Sequence, residues 1–418
     1  MDSTGIVFGE HERNTLDQLA DVARRAERVA LMADGHLGYI MPVGGVAAYR
    51  ERVSVAGVGF DIACGNCALR TDLLARDLPR ARLEQLAERI RSTVSFGVGR
   101  TNRADDAPLD HPLFDDEAWS AVPAPPAERE KLRALARAQL GTVGSGNHYV
   151  DLLADEQERI WVGVHFGSRG LGHTIASGFM AIAAGKRWGE RVPESEALFE
   201  LASDPGERYW RLMELAGRYA YAGREWVCRK VALEILGAGE TELVHNHHNF
   251  AWREKHFGEE LIVVRKGATP AFPGQAGFVG GSMTDGSVIL SGVDASAKAG
   301  EADAQRQALF STVHGAGRVM SRSEAAGKRH RFGPKAGQLI LDAAGRPLRA
   351  GRISDAMLRE AVDAAGVVLR GGGPDESPFV YRRLAAVLAL QPGIEIRRRL
   401  RPLAVVMAGA DEFDPYKD

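Results

Sequence analysis

Cysteine is scarce in this chain of 418 residues: there are three, Cys64, Cys67 and Cys228. A sparse, odd set excludes a disulfide framework and suits a reducing setting, so a cytoplasmic location is expected. An excess of one charge is also missing. With 53 Lys and Arg against 55 Asp and Glu, the net charge is −2. No global basic field draws the chain to nucleic acid, so such a partner needs a local patch. Arg24, Arg25 and Arg28 offer one run, and Arg397, Arg398, Arg399 and Arg401 another. Each also fits an ordinary solvated face. No apolar stretch is long enough to span a bilayer, and no apolar run follows a basic start at the N-terminus, so no membrane partner is expected. No repeat of fixed period and no clean linker appear.

What is present is 45% apolar residues, enough for a sizeable core, and 48 glycines. Thr15 and Gln18 have capping-box spacing, and Leu16, Leu19, Val22, Ala23, Ala26 and Val29 recur as on a helix. Short β-rich runs such as Val53–Val58 follow. Residues 97–127 read as a long irregular excursion, and a helix runs from about Glu128 to Gly141. Ile160–His165, Leu261–Val264 and Ser287–Leu290 read as strands. Ser195–Leu236 reads as helix broken near Pro205. Glu301–Val313 and Ser354–Leu369 read as helices.

The residues that suggest chemistry lie in six glycine-rich clusters. In Gly59–Cys67, Asp61 and Cys64 stand three apart, and a carboxylate with a thiolate suits a divalent transition metal. Cys64 and Cys67 lack the second pair a zinc ribbon needs, and Cys64 alone also fits a buried structural cysteine. Gly144-Ser145-Gly146 leads into Asn147 and His148, with Asp151 behind; its glycines can offer backbone N–H groups to a phosphate. His165 ends an apolar strand, a place that also fits plain packing, and Arg169 follows in a Gly-rich turn where a guanidinium can grip phosphate. Val244–Asn249 carries His245, His247 and His248. In an extended segment His245 and His247 face one side and His248 the other, and spacing does not say which side holds a metal. Lys266 stands just past a strand. Gly280–Ser287, with Ser282 and Ser287, can wrap a nucleotide with backbone donors. His314, at an expected helix end, precedes Gly315-Ala316-Gly317-Arg318. Imidazole is a competent nucleophile, and Arg318 suits charge on a transferring phosphoryl group.

Taken in order, with Asp34-Gly35-His36-Leu37-Gly38 ahead of them, the six clusters resemble the RtcB family of GTP-dependent RNA ligases over roughly residues 30–407. The resemblance implies one large intertwined α+β domain over 1–418, with mixed β-sheets flanked by helices, an irregular insertion at 97–127 and a C-terminal tail at 410–418. It implies that His314 takes GMP from GTP and passes it to an RNA 3′-phosphate, which an RNA 5′-hydroxyl then attacks. A 2′,3′-cyclic phosphate end is opened first. Two manganese ions assist. The motif match makes Asp61, Cys64, His148, His165 and His248 the metal ligands, with Cys64 bridging. It puts Asn147, Asp151, Asn249, Ser282, Ser287 and Tyr381 at the nucleotide, and Arg169, Lys266 and Arg318 at phosphate. Two positions depart from the family pattern. Asp151 stands where Glu is usual, which shortens the reach. Met407 stands at a position commonly Lys, so that either Lys417 supplies the charge or guanine selection is weaker. The same residues leave open a relative that only transfers a nucleotide or cleaves a phosphoester, and a non-catalytic binder of RNA ends.

Overall fold

The apolar stripe Leu16, Leu19 and Val22 folds as a helix over Arg13–Ala23, burying Leu19 and Val22. The structure, a computed structural model, describes residues 5–294, 299–330, 334, 335 and 337–409. The capping box expected at Thr15 does not form: Glu12 is the N-cap and Thr15 is buried within the helix. The helical spacing stops short of Val29, which lies in the strand Arg28–His36 opposite Ala47. A ladder partner outweighs one more helical turn there. Val53–Val58 divides into a strand, Arg52–Ser54, and one helical turn, Val55–Val58.

Pro205 starts a helix instead of breaking one. Ser203 caps Asp204–Arg229, and Pro205 occupies the first turn, where its missing N–H has no partner to lose. The stretch before it, expected to be helical from Ser195, carries the strand Leu198–Glu200. The helix expected to reach Val313 ends at Gln307, and Ser311–Val313 pairs antiparallel with Ala268–Pro270. His314 therefore follows a strand. Ser354–Leu369 also divides, into helix Asp355–Ala364 and a strand from Val368, separated by Gly366 at positive φ. Within 97–127, short 3-10 turns at Pro112–Asp115 and Glu117–Ala121 seat Phe114 and Trp119 in the core. The other expected elements appear as Pro126–Gln139, Arg159–Phe166, Glu259–Lys266 and Ser287–Gly292.

Helices and mixed sheets make the fold α+β. The larger sheet runs Gly277–Val279, Ser287–Gly292, Ile394–Gly409, Tyr149–Ala154, Arg159–Phe166, Gly65–Leu74, Glu240–His247, with Val368–Gly372 added parallel to Ile394–Gly409. The smaller one runs Gly5–Val7, Arg28–His36, Val43–Tyr49, Glu259–Lys266, Asn249–His256. The long helix Asp204–Arg229 buries Tyr209, Leu212, Tyr219 and Arg224. The basic runs are solvated: Arg24 and Arg25 pair with Asp21, and Arg401 pairs with Glu158. Among the described residues no helix is long and apolar enough to cross a membrane. Position 417 lies outside the described residues.

Candidate active site and metal centre

Strand register assembles one wall of the site. Met407 lies opposite Tyr149, Tyr149 opposite His165, His165 opposite Asn66, and Asn66 opposite Asn246. Directly paired residues share a face, so this row projects to one side of the larger sheet. Asp151, two residues along from Tyr149, joins it. The smaller sheet adds His36 and Lys266 at strand ends. All of these but Asn246 border a cavity of about 280 Å³, also lined by Asp61, Cys64, Asn147, His248, Asn249, Ser282, His314, Arg318 and Tyr381.

At one end, Cys64 Sγ lies 3.7 Å from His148 Nε2 and 3.8 Å from His165 Nε2. The three donor atoms fall within 4.8 Å of one another. Thiolate and imidazole donors sharing one ion sit roughly 3.6 Å apart, so these residues fit a transition metal. Their tautomers fit as well. His148 Nδ1 is 3.0 Å from the Val143 carbonyl, and His165 Nδ1 is 2.8 Å from Asn66 Oδ1. An oxygen acceptor holds the proton on each Nδ1 and turns each Nε2 lone pair toward Cys64, the Val143 carbonyl at His148 being nearer than the Arg169 guanidinium, a donor only, 3.2 Å from the same nitrogen. Asp61 Oδ2 reaches within 3.2 Å of His148 Nε2, and the His248 ring centre is 5.2 Å from that of His165. A side chain at Gly167 would collide with Asp61 and Cys64 Cα, so only glycine lets the loop in so close.

That loop is held from behind. Ala63 has φ +61°, a left-handed conformation that costs about 1–3 kcal/mol outside glycine. Its N–H donates to Asn249 O at 2.7 Å, and its carbonyl accepts from the buried Arg224 guanidinium at 2.9 Å. Arg224 also donates to the Phe166 carbonyl at 2.6 Å, next to His165. Its remaining bonds go to His245 Nε2 and His247 Nδ1. Burial and the guanidinium keep both rings neutral, with pKa well below the usual imidazole range. His245 and His247 thus face away from the cavity, as strand alternation requires, while His248 faces in, its ring centre 4.9 Å from that of His314.

His314 is oriented by a carboxylate. Its Nδ1 lies 2.7 Å from Asp34 Oδ2, and the same oxygen accepts the backbone N–H groups of His314 and Gly315. Asp34 is fully buried. The contact is an ion-pair approach off the line of a hydrogen bond, and the negative charge beside Nδ1 favours the proton on that side of the ring and an unprotonated Nε2. Arg318 bonds Tyr381 Oη at 3.0 Å, and Glu376 joins both. Arg322 closes an ion pair on Glu376 from the far side. Asp34, Arg224, Glu376 and Arg322 were not singled out by sequence reasoning. Asp34 and Glu376 carried a signal, as members of the Asp34–Gly38 and Asp375–Tyr381 motifs.

The other candidates divide. Asn249 lines the cavity but spends Oδ1 on Gly267 N–H at 2.7 Å. Ser282 lines it as well, whereas Ser287 is set back, its Oγ accepting from Gly281 N–H. Arg169 also stands outside the lining, 3.2 Å from His148 Nδ1. Gly144 leaves room for that guanidinium, which would overlap any Cβ there. Asp151 is buried near Val405 and Met407, and burial raises its carboxyl well above the usual range. Burial also lowers the Lys266 ammonium to about 8.

A thiol–imidazole cluster that could hold a metal ion and an imidazole beside a buried carboxylate share one cavity, an arrangement suited to an enzyme of group transfer. A family model described as "tRNA-splicing ligase RtcB" matches residues 15–408. The chain belongs to this RtcB family of ligases. The RNA-splicing ligase RtcB of Escherichia coli strain K12 is 32% identical over 337 aligned residues, covering 75% of this chain and 80% of that one. The tRNA-splicing ligase RtcB of Thermococcus kodakarensis is 30% identical over 465, covering 94% and 90%. That of Archaeoglobus fulgidus is 32% identical over 385, covering 75% and 78%.

Proposed function

We propose that this chain is an RNA ligase that joins 3′-phosphate or 2′,3′-cyclic phosphate ends to 5′-hydroxyl ends, with GTP and two manganese ions, in cytoplasmic RNA repair or tRNA splicing. The observation that carries the reading is the Asp34–His314 pair in the same cavity as Cys64 and His165. Nε2 of His314 attacks the α-phosphorus of GTP; an N–P bond forms and pyrophosphate leaves. An oxygen of the RNA 3′-phosphate then takes the GMP, which frees His314. The RNA 5′-hydroxyl attacks that 3′-phosphorus, the phosphodiester forms, and GMP departs.

Asp61, Cys64, His148, His165 and His248 would hold the ions, Asp61 standing against His148 and His248 against His165 on either side of the Cys64 cluster. When bound, such ions polarise phosphoryl oxygens and offset developing charge, an effect of several kcal/mol in general. Lys266 and Arg318 serve the phosphates directly, and Arg169 acts through His148. Asn147, Asn249, Ser282, Tyr381 and Asp151 border the nucleotide, and Ser287 holds its glycine loop. The wild-type protein incubated with GTP and manganese should gain the mass of one GMP, and His314→Ala should gain none. A wild-type protein with unchanged intact mass would sink the reading.

Lys266 sets a pH dependence. Below about 8 its ammonium is charged, and above that it is neutral. GTP affinity should therefore weaken by up to about tenfold per pH unit above pH 8. Lys266→Met should bind more weakly and lose that slope, as read from dissociation constants between about pH 7 and 9.5. Equal slopes in both proteins would remove Lys266 from the phosphate site. Stability moves the other way. The unfolded chain binds the extra proton up to the ordinary lysine value of 10.5, so this group favours folding more as pH climbs from about 8 toward 10.5.

A further inference from the structure

One imidazole of the cavity has no task in the chemistry above. His36 ends the strand Arg28–His36 and lines the cavity beside His314 and Arg318. Its Nδ1 lies 3.0 Å from the carbonyl oxygen of Asp34. A carbonyl can only accept, so the ring proton stays on Nδ1 and Nε2 keeps its lone pair. Nε2 has no hydrogen-bond partner among the described residues. The charged or titratable groups that face it are Asp34, His314 and Arg318. Burial, with His314 and Arg318 adding to it, lowers the ring's pKa to about 4, so it is neutral at working pH.

The steps differ in what they ask of such a group. GMP uptake uses an imidazole lone pair already freed by Asp34, and transfer to RNA uses a phosphate oxygen. Neither attacker carries a proton to lose. The joining step does, because its nucleophile is an alcohol.

We infer that His36 is the general base of the joining step, a role that rests on the ligase reading above. The hydroxyl oxygen forms its bond to the 3′-phosphorus as its proton passes to His36 Nε2. The bond from that phosphorus to the GMP oxygen breaks, and GMP leaves with the electron pair. Phosphate anions in the occupied cavity raise the basicity of the ring above that of the empty one.

The test is a single-turnover assay with GTP, manganese, an RNA bearing a 3′-phosphate and an RNA bearing a 5′-hydroxyl. His36→Asn keeps an amide N–H for the Asp34 carbonyl but has nothing at the place of Nε2. Guanylylated RNA should accumulate in the variant, and joining should fall about a hundredfold or more relative to GMP uptake. The residual joining should climb about tenfold per pH unit between about pH 6.5 and 8.5, as hydroxide replaces the base, while the wild type stays flat. Joining that keeps pace with GMP uptake, or one pH profile for both proteins, overturns the assignment. His36→Gln is read by the same ratio if the Asn protein does not take up GMP. Failure of the wild type to take up GMP strikes the ligase reading instead, and is seen separately by mass.

Discussion

Asp34→Ala should slow GMP uptake by His314 about 10³–10⁴-fold, the range seen when a catalytic imidazole loses its carboxylate partner. Asp34 Oδ2 does two things at once. It places negative charge 2.7 Å from His314 Nδ1, which favours the proton there, and anchors the backbone N–H groups of His314 and Gly315. Alanine removes both, so the ring is free to rotate and to carry its proton on the attacking nitrogen. Asp34→Asn separates the two tasks. Its amide oxygen can occupy the Oδ2 position and keep all three contacts, but the charge that stabilises a cationic imidazole is gone. A loss of up to about 10⁴-fold is expected, the size seen when asparagine replaces the aspartate behind a catalytic imidazole. Rapid-quench measurement of GMP uptake decides between them. An alanine variant that takes up GMP at the wild-type rate would show that Asp34 does not orient the nucleophile.

Arg224→Met should cost about 3–5 kcal/mol of stability, the scale for stripping one partner from a buried charged network. Methionine fills much of the volume but donates nothing. The buried carbonyls of Ala63 and Phe166, the buried His247 Nδ1 and the partly buried His245 Nε2 would each lose a donor. A buried polar atom left unmet costs about 1–3 kcal/mol, and neighbours in one network do not add fully. The second consequence is local. Ala63 stays left-handed only while both its peptide groups are held, and it sits between Asp61 and Cys64. Manganese affinity should therefore drop in the folded variant by more than the loss of global stability requires. Denaturant midpoints and metal titration report the two effects separately. A variant as stable as wild type, with unchanged metal affinity, removes Arg224 as the brace of this loop.

Much was legible before any coordinates. The apolar runs at Ile160–His165 and Leu261–Val264 are strands because buried strands read as continuous β-branched segments. The histidine triplet divides between two faces as period-two geometry demands. Misreadings cluster where local pattern met a distant partner. Ser311–Val313 looks like the last turn of a helix, but Ala268–Pro270 supplies a ladder for it. Val29 fits a helical stripe, but Ala47 pairs with it. Such partners lie outside any local window, so propensity has no access to them.

By itself, then, the sequence determined the stock of groups: a thiol, carboxylates and imidazoles among glycines, in an order specific enough to name the family. Which of them meet was decided only by the tertiary structure. Asp34 and His314 are 280 residues apart, and no spacing rule joins them. Their contact exists because the strand that carries Asp34 and the strand that His314 follows, paired into separate sheets, bring both residues to one place. The same holds for tautomers, since a ring's proton goes to whichever nitrogen finds an oxygen. His165 acquires its directed lone pair from Asn66, a neighbour that register supplies, and register is a property of paired strands rather than of any one segment.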